Sequence, residues 1–160
     1  MSNYLQNEII DLLKQHELTL STAESVTAGM ISSFLATVPG CSKVFKGGMI
    51  VYSNFAKNKL CGVKDETLNK FGAISEQCVR ELALNTNKKL NTDISLAISG
   101  NAGPVCDENK PAGFAYLGIC IIDKIYIYEL QSKQKERNDI RIDLTHMVYE
   151  KLLKLIKEMV

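Results

Sequence analysis

The chain has 160 residues, of which 46% are apolar and 23% are charged, and its net charge is +1 at pH 7. These values are typical of one globular domain with a sizeable apolar core. They exclude a strong overall field that would recruit nucleic acid, and no apolar run approaches the roughly 20 residues of a membrane-spanning helix.

Helices and strands alternate in the first half of the sequence, and a hairpin follows later. Hydrophobic spacing and Gly or Pro stop signals predict these elements. In chain order they are a helix at 4–16, a strand at 18–24, helix 27–38, strand 48–53, helix 55–60, helix 65–71, helix 75–90, strand 94–99, strands 112–122 and 125–130 joined by Asp123-Lys124, and helix 139–159. This order predicts an α/β fold whose mixed sheet is mostly parallel, has one antiparallel strand, and is covered by helices on both faces.

The stretch Thr22-Ala23-Glu24-Ser25-Val26-Thr27-Ala28-Gly29 predicts a strand that turns sharply into a helix. A helix N-terminus presents free backbone N–H groups, which suit a phosphate or an oxyanion beside a nucleophile. The simpler interpretation is that the hydroxyl of Ser25 or Thr27 caps the helix. On this turn alone, both interpretations remain open.

Three polar turns are expected to meet at one edge of the sheet, because ligands gather beyond the carboxyl ends of parallel strands. The first turn is Glu24-Ser25, and the second is Tyr52-Ser53-Asn54 with Lys57 one helical turn later. The third turn runs from Ser99 through Gly100, Asn101, Ala102 and Gly103 to Pro104. A cleft between these turns is the predicted functional site.

Five blocks in this order resemble the C-terminal domain of the CinA family. They are Thr22-Ala23-Glu24-Ser25 with Thr27 and Gly29, Tyr52-Ser53-Asn54 with Ala56-Lys57, Gly72-Ala73-Ile74-Ser75-Glu76, Ser99-Gly100 with Ala102-Gly103-Pro104, and Lys110-Pro111 with Gly113. The resemblance implies a three-layer α/β/α sandwich. It also implies an amidohydrolase that converts nicotinamide mononucleotide to nicotinic acid mononucleotide and ammonia. The whole chain, 1–160, resembles the stand-alone form of this domain.

The resemblance implies a serine nucleophile served by a lysine and a nearby tyrosine, which fall on Ser25, Lys57 and Tyr52. By pattern alone, Lys57 is expected to be a solvated surface residue. The substrate is expected to be a pyridine mononucleotide, with no cofactor and no metal. The expected substrate-binding residues are Glu24, Thr27, Gly29, Asn54, Ser99, Gly100, Ala102, Gly103, Arg137 and Arg141, of which Arg137 is the first choice for the phosphate.

Several positions depart from the family pattern. Val26-Thr27-Ala28-Gly29 stands where Cys-Thr-Gly-Gly is usual, and Asn101 replaces an isoleucine. Loop 105–109 is shorter and more acidic than the usual glycine-rich loop. Ala28 and the altered loop favour a second hypothesis, a non-catalytic nucleotide-binding or interaction module, whereas Ser25, Tyr52 and Lys57 together favour the amidase. A third hypothesis is an amidase with a different substrate.

The scattered cysteines, odd in number and without CxxC spacing, predict neither a zinc site nor a disulfide framework. The first residues lack the features of a signal peptide, so a cytoplasmic location is expected. The final helix carries apolar residues on more than one flank, which predicts a homo-oligomer, most simply a dimer. These residues are Val148, Leu152, Leu153, Leu155, Ile156 and Met159.

Overall fold

The computed structural model describes residues 4–160. Its elements are α1 Tyr4–Gln15, β1 Leu20–Glu24, α2 Met30–Ala36, β2 Phe45–Ile50, α3 Asn54–Cys61, α4 Asp65–Phe71, α5 Glu76–Leu90, β3 Ile94–Gly100, β4 Phe114–Ile121, β5 Lys124–Gln131 and α6 Arg137–Met159. A short 3₁₀ turn, Cys41–Lys43, precedes β2. No helix in residues 4–160 is long and apolar enough to cross a membrane.

The five strands form one mixed sheet in the order β2-β1-β3-β4-β5. Strand β1 pairs in parallel with β2 and β3, whereas β4 pairs antiparallel with both β3 and β5. Only β4 therefore runs against the other four strands, which confirms the predicted mixed sheet. Because β1, β2 and β3 point the same way, the turns that follow them lie along one edge.

Helices cover both faces of the sheet, which makes the α/β/α sandwich. On one face, α1, α2 and α6 enclose a large core that includes Leu96, Ile98 and Leu117 from the central strands. On the other face, α5 packs on small side chains such as Ala97, and on Gly118 of β4. A Cβ atom at position 118 would lie 2.7 Å from the Val79 carbonyl oxygen. The glycine therefore allows α5 to approach the sheet closely.

Two predicted boundaries near the cleft are wrong. Helix α2 begins at Met30 and not at residue 27, because Ala28 and Gly29 have φ angles of 47° and 94°. These left-handed values cannot belong to a right-handed helix. Strand β2 ends at Ile50, three residues before the predicted end. The Val51 N–H still donates to the Glu24 carbonyl of β1 at 2.8 Å, and two residues later the Ser53 hydroxyl accepts a bond from the Ala56 N–H at 3.1 Å and caps α3.

The hairpin turn lies one residue earlier than predicted. Ile121 pairs with Lys124, so Ile122 and Asp123 form the two-residue loop. Both have positive φ angles, 41° and 68°. These are the signs of a type I′ turn, whose twist matches that of the flanking strands. The pairing register of β4 and β5 thus overrides the poor fit of a β-branched isoleucine to a left-handed conformation.

The apolar flanks of α6 are explained within the chain. The helix packs against α1 and α2 on one side and against β4 and β5 on another. Five of the six apolar residues that indicated a partner are buried in this way, and only Met159, at 37% exposure, is open. The wide apolar surface of α6 is therefore no argument for a dimer. The homodimer itself stays a prediction.

Candidate active site

The three predicted turns meet at the carboxyl edge of the parallel strands, around a polar cleft of about 410 Å³. Strands β1, β2 and β3 each end at this edge. The cleft is lined by Ser25, Tyr52, Ser53, Asn54, Lys57, Ala73, Ile74, Ser99, Gly100, Asn101, Asp107 and Glu108.

Ser25 stands on a tight turn directly after β1. Its N–H donates to the Ile98 carbonyl of β3 at 3.1 Å, and its carbonyl accepts from the Ala28 N–H at 3.0 Å. Ala28 is held in the left-handed region, where glycine is favoured over alanine. The N-cap residue of α2 is Gly29, which has no side chain to bond the free N–H groups, and the Thr27 hydroxyl donates to Glu24 instead of accepting from the helix. The interpretation of Ser25 or Thr27 as the helix cap is therefore wrong.

The carboxylate of Glu24 occupies the N-terminus of α2. It accepts backbone N–H bonds from Gly29 at 3.0 Å, Ile31 at 3.0 Å and Ser32 at 2.8 Å. The hydroxyls of Thr27 and Ser32 also donate to it, at 2.7 and 2.6 Å. Glu24 is 1% exposed, so its charge is stabilised by these five donors and by the positive end of the helix. The N–H groups expected to face an oxyanion are thus already bonded.

Arg141, on α6, holds the opposite side of the same turn. Its Nε donates to the Val26 carbonyl at 3.1 Å and its Nη2 to the Thr27 carbonyl at 2.9 Å. Its Nη1 donates to Asn138 Oδ1 at 3.1 Å. Glu24 therefore binds N–H groups of the turn while Arg141 binds its C=O groups. Together, these two charged side chains fix the backbone that carries Ser25.

Lys57 reaches Ser25 from the first turns of α3. Its Nζ lies 3.0 Å from Ser25 Oγ and donates to the Val51 carbonyl at 2.9 Å. Lys57 is only 2% exposed and Ser25 only 7%. The expectation from pattern alone, a solvated surface lysine, is therefore wrong. The two groups have the spacing of a nucleophile and its general base.

Burial lowers the pKa of the Lys57 ammonium below its ordinary value of 10.5, because the charged form loses hydration. Two neighbours oppose this shift, the thiol of Cys78 and the carboxylate of Glu108. Burial raises the pKa of Cys78 to about 12, so this thiol stays protonated near neutral pH. Glu108 is therefore the neighbouring anion that raises the pKa of Lys57 part of the way back toward its ordinary value.

Tyr52 and Arg137 meet at the rim of the cleft. Arg137 Nη2 donates to the Tyr52 hydroxyl at 2.9 Å, and Nη1 donates to the Gly103 carbonyl at 2.5 Å. The guanidinium therefore bridges the turn after β2 and the turn after β3. Tyr52 is 56% exposed, and its hydroxyl bonds to Arg137 and not to Ser25 or Lys57.

The cleft contains about half of the residues that the sequence proposed for the site. Those that line it are Ser25, Tyr52, Asn54, Lys57, Ser99 and Gly100. The others stand behind the wall or at the rim, namely Glu24, Thr27, Gly29, Ala102, Gly103, Arg137 and Arg141. A Cβ atom on Gly100 would lie 2.4 Å from the Phe114 carbonyl oxygen, which explains the glycine at this wall.

Six lining residues were not proposed as site residues from the sequence. Ser53 and Asn101 belong to the polar turns that were predicted to meet at this edge. Ala73 and Ile74 belong to a block that carries the family resemblance, and this was the available signal for them. Asp107 and Glu108 come from the acidic loop, which the sequence marks only as a departure from the family. Within residues 4–160, no group of three or more His, Cys, Asp or Glu residues could hold a metal ion.

Comparison with known proteins finds similar sequences and similar folds. The model of the CinA C-terminal domain matches residues 2–156. A curated relative from Mycoplasma pneumoniae, the "Protein MG115 homolog", is 44% identical over 133 residues, which is 83% of this chain and 85% of the relative. A CinA-like protein from Kosmotoga olearia is 43% identical over 156 residues, 95% of this chain. The chain spans only 38% of that relative's length.

The fold of the chain is also found among solved structures. A CinA superfamily protein from Klebsiella pneumoniae superposes with a TM-score of 0.94 at 25% identity, covering 98% of each chain. A competence or damage-inducible protein from Enterobacter asburiae superposes with a TM-score of 0.93 at 31% identity, covering 96% of this chain and 97% of that one.

Proposed function

Because the chain belongs to the CinA C-terminal domain family, we propose that it is a nicotinamide-nucleotide amidase. In this proposal it hydrolyses nicotinamide mononucleotide to nicotinic acid mononucleotide and ammonia. The observation that carries the proposal is the 3.0 Å contact between Lys57 Nζ and Ser25 Oγ at the wall of the polar cleft. A serine hydroxyl is a weak nucleophile until a base removes its proton. A lysine can be that base only if its pKa is lowered, and burial lowers the pKa of Lys57.

The reaction begins with neutral Lys57. Ser25 Oγ attacks the carboxamide carbon while its proton passes to Lys57 Nζ, which gives a tetrahedral intermediate and an ammonium. The new ammonium then donates a proton to the amide nitrogen as the C–N bond breaks, and ammonia leaves. Water then enters in place of ammonia and hydrolyses the ester on Ser25. Lys57 takes the water proton and returns it to the serine oxygen, so both residues end as they began.

The oxyanion of the intermediate needs donors other than the N-terminus of α2. The N–H groups of Gly29, Ile31 and Ser32 are bonded to Glu24. The ammonium formed on Lys57 supplies positive charge beside the oxyanion, and Asn54 contributes an amide donor on the cleft wall. The pyridinium ring of the substrate adds a second positive charge, which further favours neutral Lys57.

The test is ammonia release from nicotinamide mononucleotide by the purified protein, with identification of the acid product. Free nicotinamide and glutamine serve as control amides. A Ser25→Ala protein measures the contribution of the proposed nucleophile, and Ser33→Ala is its matched control, because Ser33 is an exposed residue of α2. We expect release by the wild type and Ser33→Ala only. A wild type that binds the mononucleotide without releasing ammonia would instead be the non-catalytic module, and release only from another amide would indicate a different substrate.

A further inference from the structure

Two departures from the family pattern, Asn101 and the acidic loop 105–109, are joined in the structure. The Asn101 side chain is buried, at 6% exposure. Its amide nitrogen donates to the Asp107 and Lys110 carbonyls, both at 2.9 Å, and its amide oxygen accepts from the Asp107 N–H at 3.2 Å. An isoleucine could make none of these bonds. The acidic loop is therefore held in one conformation by a side chain that suits it.

The hydrogen bonds of Asn101 hold the loop so that the carboxylate of Glu108 lies at the cleft wall. Glu108 and Asn109 adopt φ angles of 58° and 54°, a left-handed pair that turns the loop back. The Glu108 carboxylate accepts from the Ala73 N–H at 2.7 Å and from the Ile74 N–H at 2.8 Å. Both donors are neutral. Among the side chains of residues 4–160, none forms a salt bridge with Glu108, and the cation that its charge acts on is Lys57.

The negative charge of Glu108 lies in the same cleft as the proposed base, Lys57, where it can act on a charged substrate. Glu108 lines the same cleft as Ser25 and Lys57, and its field acts on the Lys57 ammonium. The proposed substrate brings a positive pyridinium ring into this cleft, where it would repel Lys57 whenever the lysine is protonated. An anion fixed in the wall attracts such a ring, whereas a neutral ring gains almost nothing from it.

We propose that Glu108 is a specificity-determining residue that selects a cationic ring, an N-substituted pyridinium, over a neutral ring of the same shape. This inference rests on the proposed amidase function and adds to it the charge that the cleft selects. The alternative hypothesis is that Glu108 hinders binding. In that case its carboxylate occupies the place of the substrate phosphate on the Ala73 and Ile74 N–H groups. The two hypotheses predict opposite effects when the charge is removed.

The experiment measures the Kd of two ligands by calorimetry on a Ser25→Ala background, which prevents turnover. The ligands are nicotinamide mononucleotide and its reduced form, whose dihydropyridine ring is neutral. Glu108→Gln removes the charge and keeps the size, while Glu108→Asp keeps the charge. Asp107→Asn is the matched control, because it removes the same charge from the adjacent residue of the loop.

We expect Glu108→Gln to raise the Kd of the mononucleotide about three- to fivefold, as for a partly exposed charge contact. The Kd of the reduced form should stay within about twofold, since it carries no ring charge. Glu108→Asp should restore part of the preference, and Asp107→Asn should change it less than Glu108→Gln does. Equal weakening of both ligands, or a lower Kd for the mononucleotide, would overturn this inference and leave the amidase proposal intact. If the wild type neither binds nor hydrolyses the mononucleotide, the proposed function fails, and this inference fails with it.

Discussion

Lys57 Nζ lies 3.0 Å from Ser25 Oγ, although 32 residues separate the two along the chain. Each is delivered by a different βα connection of the parallel part of the sheet, Ser25 after β1 and Lys57 in the first turns of α3. The other acceptor of Lys57 Nζ is the Val51 carbonyl, at 2.9 Å. Ser25 does not cap α2, and burying the lysine charge costs stability. Such an unfavourable arrangement is typical of a functional site.

Replacement of Ser25 by alanine should abolish the chemical step without weakening the fold. We expect single-turnover ammonia release to fall by about 10³-fold or more, with no acyl-enzyme detectable by mass spectrometry after rapid quenching. The melting temperature should match that of the wild type, because the cap residue of α2 is Gly29. Near-normal release from Ser25→Ala would contradict the assignment of Ser25 as nucleophile.

Lys57 should impose a pH dependence on the rate. Only the neutral amine accepts the serine proton, so the rate should rise with pH through the lowered pKa of Lys57 and then level off. Lys57→Met should remove both the activity and this limb of the profile. Lys59→Met is the matched control, since Lys59 is exposed on the same helix. A normal pH profile in Lys57→Met would exclude the lysine as base.

The same pKa shift predicts an effect on stability. The pKa of Lys57 is lowered on folding, so between that value and the ordinary 10.5 the unfolded chain binds more protons. Burying the charged lysine lowers the free energy of unfolding. This penalty is present in full below the folded pKa and disappears as the pH rises toward 10.5. Lys57→Met lacks this penalty, so its stability relative to the wild type should be greatest at low pH and decline as the pH rises. Thermal melting at several pH values measures this, and a constant difference would contradict it.

The order of the elements and the meeting of the three turns could be predicted from the sequence, because strand and helix periods are local and parallel strands share an edge. The role of Lys57 could not, because the pattern around it is that of a surface helix and only family resemblance indicated the contact with Ser25. The true start of α2 was hidden because Ala28, a good helix former, is held at positive φ. The packing of α6 between α1, α2 and the sheet depends on contacts far apart in sequence.

Glu24 should be essential for the fold of the nucleophile turn. Glu24→Gln replaces one acceptor oxygen by an NH₂ group that faces N–H donors, inside a site that is 1% exposed. We expect a loss of about 2–4 kcal/mol in the free energy of unfolding and a lower rate of acylation. Glu8→Gln is the control, because Glu8 pairs with Lys157 near the surface, and its loss should cost at most about 1 kcal/mol. Denaturant unfolding curves of the two variants give the comparison.

The predicted homodimer now rests on other residues than those of α6. Four exposed apolar side chains fall in the segment from the end of β2 through α3, namely Ile50, Tyr52, Phe55 and Leu60. We expect these side chains to form one apolar patch, and such a patch favours association. Light scattering at micromolar concentration should give twice the monomer mass, and Phe55→Ser should lower it while Ile122→Ser at the hairpin tip should not. A wild-type monomer would contradict this prediction.

The two arginines of α6 should affect different kinetic constants. Arg137 stands at the rim with its guanidinium between Tyr52 and Gly103, where it can reach a phosphate, and the planar fork of arginine suits that group. Arg137→Lys should therefore raise KM for the mononucleotide about tenfold with kcat little changed. Arg141 has its donors on Val26, Thr27 and Asn138, so Arg141→Lys should loosen the Ser25 turn and lower kcat with KM little changed. Each variant is the control for the other. If Arg137→Lys leaves KM unchanged and Arg141→Lys raises it, the phosphate contact belongs to Arg141, and the turn must then exchange its bonds to the arginine when substrate binds.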